Sequence, residues 1–131
     1  MNKVNAIITA IKSEDKVTLV SFSVGAEHLE MMSLGLSEQL VEGSAVSVGV
    51  KATNIALSLS KLSDVSITNQ VETTITAIKM GSLLCCVVFH FEGVVWESVI
   101  TKKSSQEMHL SVGKKVFALI KSSDLSIIEV L

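Results

Sequence analysis

The sequence predicts an all-β protein made of two tandem copies of a small barrel, each copy interrupted by one short helix. Two observations predict it. The first is an internal repeat: Ile8-Thr9-Ala10-Ile11-Lys12 recurs letter for letter 67 positions on, from 8 to 75, as Ile75-Thr76-Ala77-Ile78-Lys79. Farther along, Val50-Lys51-Ala52-Thr53-Asn54-Ile55 returns as Ile120-Lys121-Ser122-Ser123-Asp124-Leu125, now 70 positions on, from 50 to 120. Gly43 with Gly113 and Val46 with Val116 share the second offset. An ordered series of matches at nearly constant spacing marks a duplicated unit of roughly 65 residues. The expected division is a first repeat over 1–65 and a second over 66–131.

The second observation is alternation. Val20, Phe22 and Val24 are interleaved with Ser21 and Ser23, and Val46, Val48 and Val50 with small or polar residues. Ile55, Leu57 and Leu59 form a third such set. Period two with many β-branched residues reads as half-buried strands, about five to each repeat. Leu83 to Phe91 is nearly all apolar, so both faces of that strand should be covered, by the other repeat or by another subunit. Ser104-Ser105-Gln106-Glu107 has the form of a helix-starting capping box, and Ser37-Glu38-Gln39-Leu40 looks like a reduced version of it. Gly43 and Gly113 follow these turns and open the next strand pair. Ser58 to Ser66 is serine-rich but carries Leu59, Leu62 and Val65, and reads as a short connector or edge strand. Five short strands and one small helix per unit suggest the oligonucleotide/oligosaccharide-binding type of barrel, a fold that hosts many functions.

Composition narrows the classes. Hydrophobic residues make up 48% of the 131 and charged ones 18%, and the mean hydropathy is +0.55. So apolar a chain of this size is expected to be a homo-oligomer, which supplies further buried surface. No apolar run approaches the ~18 residues of a membrane span, and the N-terminus lacks a signal-peptide core. A cytoplasmic location without membrane association is expected. A net charge of −2 and one Trp with four Phe speak against a nucleic-acid partner. Cys85 and Cys86 are adjacent, so on a strand they face opposite ways and suit neither a metal site nor a redox pair.

No catalytic constellation is present. His28, His90 and His109 are scattered without acids or cysteines at ligand spacing, and Asp124 stands where the first repeat has Asn54, which suits a turn better than a general base. There is no phosphate loop or nucleophile elbow. The chain is expected not to be an enzyme, and to need neither cofactor nor bare metal cation. Hydroxyls near lysines at element ends do stand out. Ile100-Thr101-Lys102-Lys103-Ser104 puts two hydroxyls three residues apart where a strand meets a helix, and Ile120-Lys121-Ser122-Ser123 ends another strand. Unpaired amides at a helix start, hydroxyls and one lysine would suit a small tetrahedral dianion. Ordinary capping by serine and threonine beside solvated lysines reads the same pattern without a ligand.

These residues also resemble a known family. The run Ile100-Thr101-Lys102-Lys103-Ser104, Leu110, Gly113-Lys114-Lys115-Val116-Phe117-Ala118 and Ile120-Lys121-Ser122-Ser123-Asp124-Leu125 is similar to the molybdate-binding Mop domain, also called TOBE or molbindin. Ser66-Ile67-Thr68-Asn69 echoes the family's opening Ser-Ala-Arg-Asn, with Thr68 in place of the arginine. With both repeats covered, the chain resembles the tandem, di-Mop form. The resemblance implies a cytoplasmic molybdate or tungstate binding protein for storage or homeostasis. Its anions would be held at repeat or subunit interfaces by amides, hydroxyls and lysine. It points to Ser66, Thr101, Ser104, Lys121 and Ser122, and in the first repeat to Lys51, Ala52 and Thr53. It favours a trimer over a dimer. The alternatives are the ligand-sensing fragment of a molybdate-responsive transcriptional regulator and a small nucleic-acid-binding barrel. The latter needs aromatic platforms and a basic stripe.

Overall fold

The computed structural model describes all residues from Met1 to Leu131. The first repeat supplies β1 (Asn2–Glu14), β2 (Val17–Val24), β3 (Glu27–Ser33), β4 (Ala45–Val50) and β5 (Ile55–Ser58). The second supplies β6 (Asn69–Met80), β7 (Leu84–Phe91), β8 (Val94–Thr101), the helix α1 (Lys102–Glu107), β9 (Lys115–Ile120) and β10 (Ser126–Val130). Single turns of 3-10 helix at Ala52–Asn54 and Ser122–Asp124 precede β5 and β10. The protein is all-β with short helical pieces, as the alternation implied.

The repeated pentapeptide is a corner. β1 pairs with β4 along its first half, Asn2 to Ile7, and with β2 along its second, Ile7 to Glu14. Its register with β2 slips between Ile8 and Ala10, and β6 slips against β7 between Ile75 and Ala77. A bulge bends and twists a strand, which lets one long strand serve two partners and curl the sheet. Gly43 and Gly113 lock the corner from outside. Each adopts a left-handed backbone (φ 92° and 91°) that glycine takes without steric cost. The Gly43 amide donates to the Ile8 carbonyl at 2.7 Å, and the Gly113 amide to that of Ile75 at 2.8 Å.

The sheets cross the repeat boundary. One has the order β10-β4-β1-β2-β3, the other β5-β9-β6-β7-β8. Each repeat therefore lends its last strand to the other's sheet: Ser126 lies opposite Gly49, and Ile55 opposite Ile120. The core follows suit. One cluster of 20 buried residues runs from Val4, Val20 and Phe22 through Ile55 to Phe89, Trp96 and Leu125. Trp96 is fully buried, meets Phe91 edge-on at 5.0 Å, and donates from Nε1 to the Lys3 carbonyl at 3.0 Å. A smaller cluster of Ile75, Cys85, Val87 and Val116 fills the far end of the second sheet.

Three local expectations change. Ser37–Leu40 forms turns and no helix. The offset between repeats grows from 67 to 70 in this stretch, so the first repeat is three residues short there, nearly one helical turn. The second helix begins at Lys102 with Thr101 as its cap, three residues before the Ser104-x-x-Glu107 pattern would start it. The apolar strand is covered on both faces only in part. Cys85, Val87 and Phe89 are buried in the core, whereas Leu83 (78% exposed), Leu84 and His90 are open to solvent. Cys85 and Cys86 do face opposite ways, the first buried and the second half-buried, and both are free thiols. No helix is long and apolar enough to cross a membrane.

Candidate functional site

The lysine-bearing segments end strands β4 and β9 in the same way. Lys51 and Lys121 are extended (φ −69°, ψ 141° and φ −65°, ψ 140°), and each accepts a backbone bond three residues on. Asn54 donates to the Lys51 carbonyl and Asp124 to that of Lys121, both at 2.9 Å. A 3-10 turn of this length leaves its first amides without partners inside the turn. Both lysines are exposed, and neither takes part in an ion pair. Each turn therefore offers a flexible ammonium, free amides, and a hydroxyl from Thr53 or from Ser122.

Beside each turn lies the start of a long strand, held by a buried asparagine. Asn2 lies opposite Val50, and its side chain grips the backbone of Glu97: Nδ2 donates to the Glu97 carbonyl and Oδ1 accepts from its amide, both at 2.8 Å. Asn69 lies opposite Ile120 and grips Glu30 with the same two bonds, again at 2.8 Å. Asn2 with Asn69 and Glu30 with Glu97 keep the 67-residue offset, so the clamp is duplicated and reciprocal. Each repeat holds an edge strand of the other. Accordingly the Ala52–Asn54 turn packs on β8 and the Ser122–Asp124 turn on β3.

This reassorts the residues picked from the sequence. One group contains Lys121 and Ser122; Ser66 sits in the exposed bend three residues before Asn69, which lies opposite Ile120. A cavity of about 220 Å³ lies at the Asn69 clamp, lined by Ser21, His28, Glu30, Thr68 and Asn69 among others, and by none of Lys121, Ser122 and Ser66. The other group contains Lys51, Ala52 and Thr53 against β8, the strand that ends in Thr101. Thr101 accepts from the Ser104 amide at 3.1 Å, and its hydroxyl bonds the Ser104 hydroxyl at 2.9 Å, so the two are already satisfied as a helix cap. Thr101 is four residues beyond Glu97, about 13 Å along the strand from the clamp. It is farther still from Lys121. β6 begins beside Ile120 and ends beside Cys85, one residue from the Leu84 that lies opposite Thr101. Thr101 and Ser104 thus stand at the opposite end of a 12-residue strand from Lys121, Ser122 and Ser66. Within one chain the five do not converge.

The sequence reading missed Asn2, Asn69, Glu30 and Glu97. The 67-residue offset carried the signal: four polar residues matched in pairs, at positions where alternation alone has no need of them.

Residues 65–127 match the family model of the TOBE domain. Over that stretch the chain is similar to a TOBE domain. The match spans the segment before β6 through to β10, and so includes Ser66, the Asn69 clamp, the Thr101 cap and the Lys121 turn. The whole chain shares its fold with the cytoplasmic molybdate-binding protein ModG, in a crystal form with molybdate bound. The TM-score is 0.92 at 24% identity, over 99% of this chain and 96% of that one. The comparison with curated proteins finds no match. The first half lies outside the family match and shares the fold of ModG along with the second.

One titration is displaced. The Cys86 thiol is pushed above its ordinary value by burial, then by its hydrogen bond to Glu97 and that carboxylate's charge, with Lys79 opposing. Lys79 Nζ is 3.6 Å from Glu97 Oε1. Cys86 is held as a thiol, which makes it a poor nucleophile or metal ligand at neutral pH.

Proposed function

We propose that the chain binds molybdate or tungstate reversibly and buffers or stores the oxyanion in the cytoplasm, with no covalent chemistry. The observation that carries this reading is the duplicated lysine-led turn, Lys51-Ala52-Thr53 and Lys121-Ser122-Ser123, each beside a clamped strand start. Free amides, hydroxyls and one unpaired ammonium offer many directional donors with little excess charge, which is what a tetrahedral dianion needs. The TOBE match over the second repeat and the fold shared with a protein described as molybdate-binding support it. The working units are the repeats 1–65 and 66–131, with anions between them or between subunits. Because Thr101 and Ser104 lie at the far end of the sheet from Lys121, any site using all of them is completed by a second chain. A homo-oligomer, with a trimer favoured, meets that need, and neither a nucleic acid nor a membrane enters the reading.

Equilibrium dialysis against molybdate, tungstate and sulfate tests the function. The expected result is saturable binding of the two larger oxyanions that exceeds sulfate binding and survives physiological salt, because sites between packed surfaces are screened far less than exposed ones. Equal retention of all three, or loss of all binding at physiological salt, would reduce the turns to nonspecific surface charge.

A further inference from the structure

The missing helical turn of the first repeat leaves a cleft of about 820 Å³ between the end of β3 and strand β10, the two edges of one sheet. Its walls are apolar: Met31, Leu34, Leu36, Leu125, Ile127 and Val130 among them. Leu34 is 85% exposed and Val130 60%. Glu129 is the one ionisable residue in the lining, and the exposed Glu38 and Glu42 stand on the loop that forms one wall. No lysine or arginine occurs from Val17 to Val50 or from Ser122 to Leu131. The cleft is an apolar slot with an acidic rim.

The second sheet carries the complement. At its far corner Leu83 is 78% exposed, Leu84 55% and Met80 49%. The corner is fixed to the helix start, because the Lys102 amide donates to the Leu83 carbonyl at 2.9 Å. Lys102 and Lys103 flank it, in a hollow with Ser82, Thr101 and Gln106 that has no acidic residue. Lys102 has no ion-pair partner, and Lys103 has only an exposed one at 3.9 Å, Glu107. A basic-rimmed apolar knob and an acidic-rimmed apolar slot, on different sheets of one rigid core, can meet only between copies. Unlike surfaces meeting head to tail generate a closed ring, or an open filament if the rotation does not close.

We propose that the first-repeat cleft seats the Leu83–Leu84 corner of a second copy of this chain. The proposal rests on the assembly half of the functional reading and not on which anion is bound, so it is tested without oxyanion. Sedimentation velocity of the wild type at tens of micromolar should give an assembly. Leu34→Asp and Leu83→Asp, both at exposed positions, should each shift it to monomer while circular dichroism and Trp96 emission stay native. Glu129→Lys should weaken association at least tenfold. Adding Lys102→Glu and Lys103→Glu to the same chain should restore it. A monomeric wild type, wild-type mass in Leu83→Asp, or no rescue by the charge exchange would each overturn the proposal. Dissociation of Leu34→Asp alone would overturn it too, since something other than this corner would then fill the cleft.

Discussion

The stretches Leu34–Gly43 and Thr101–Gly113 occupy equivalent places in the two repeats, and they have diverged further than the framework around them. The second folds into a capped helix whose Ser105 is buried and whose Leu110 packs on the smaller core cluster. The first is three residues shorter, buries Leu40 in the main core, and leaves Leu34 in solvent. Around them the two repeats match almost bond for bond: the bulge at Ile8 and Ile75, the left-handed Gly43 and Gly113, and the Asn2 and Asn69 clamps. The duplicated features are those that bend a strand or satisfy a buried polar group, and a change there would orphan hydrogen bonds in both repeats. The divergent stretches each keep an apolar anchor, Leu40 or Leu110, and differ most in what they expose, where a surface can change without costing the fold.

The sharpest way to break this comparison is to attack the core that the repeats share. Trp96 belongs to the second repeat, yet its indole is hydrogen-bonded to Lys3 and packs in a cluster contributed by both. Its first-repeat counterpart is the smaller Leu29, 67 residues earlier. Trp96→Ala should cost about 3–5 kcal/mol, read from denaturant titration by far-UV circular dichroism. Both repeats should be lost in one transition, because strands β5 and β10 tie each sheet to the other half. Two separated transitions would show that the repeats fold independently despite the exchange.

Binding separates the halves more finely. Lys121 is followed by two hydroxyl residues, Ser122 and Ser123, whereas Lys51 is followed by Ala52 and Thr53 and has Met1 where the second repeat has Thr68. Removing a charge-assisted donor costs about 1.5–3 kcal/mol, roughly tenfold to a hundredfold in affinity. Lys121→Ala should show that loss in calorimetric titration with molybdate. Lys51→Ala should show a smaller one, confined to a separate class of sites, because the two turns pack on different edge strands. Equal losses would mean equivalent sites. No loss from either would remove the lysines from the binding model.

Much of this was legible in the sequence. The repeat, the five strands per copy and the residues of both turns follow from offset and alternation. The strand exchange was not legible, because β5 and β10 carry the same pattern whichever copy they pair with. That ambiguity also hid the grouping of sites: Lys121 sits with Thr101 in sequence, but the crossed clamps place it on β3 of the other repeat. The helix start was misplaced for a local reason. Ser104-x-x-Glu107 fits the capping-box template, while the cap in the structure, Thr101 reaching the Ser104 amide, pairs two hydroxyl residues and leaves a fainter mark. Loss of the first-repeat helix was foreshadowed by the change of offset from 67 to 70 between Leu34 and Gly43.

The smallest effect concerns a thiol present in one repeat alone. Cys86 has Leu19 as its counterpart, so the Cys86–Glu97–Lys79 cluster has no twin. Its pKa is raised in the fold by burial and by Glu97. A raised folded value means that its contribution to stability is complete below the ordinary thiol pKa and fades as pH climbs through the folded one. The contribution is slight at this half-buried position, so reactivity is the better readout. Glu97→Gln removes the charge of the carboxylate and frees the Lys79 ammonium, and each change lowers the thiol pKa. Alkylation of Cys86 by iodoacetamide at neutral pH should then quicken a few-fold over wild type, followed by mass spectrometry, with the buried Cys85 unmodified. The Glu97 backbone stays in the Asn2 clamp, so the fold should be unaffected. An unchanged rate would mean that the carboxylate's charge does not set the Cys86 titration, and that this corner of the second repeat differs from the first in packing but not in charge.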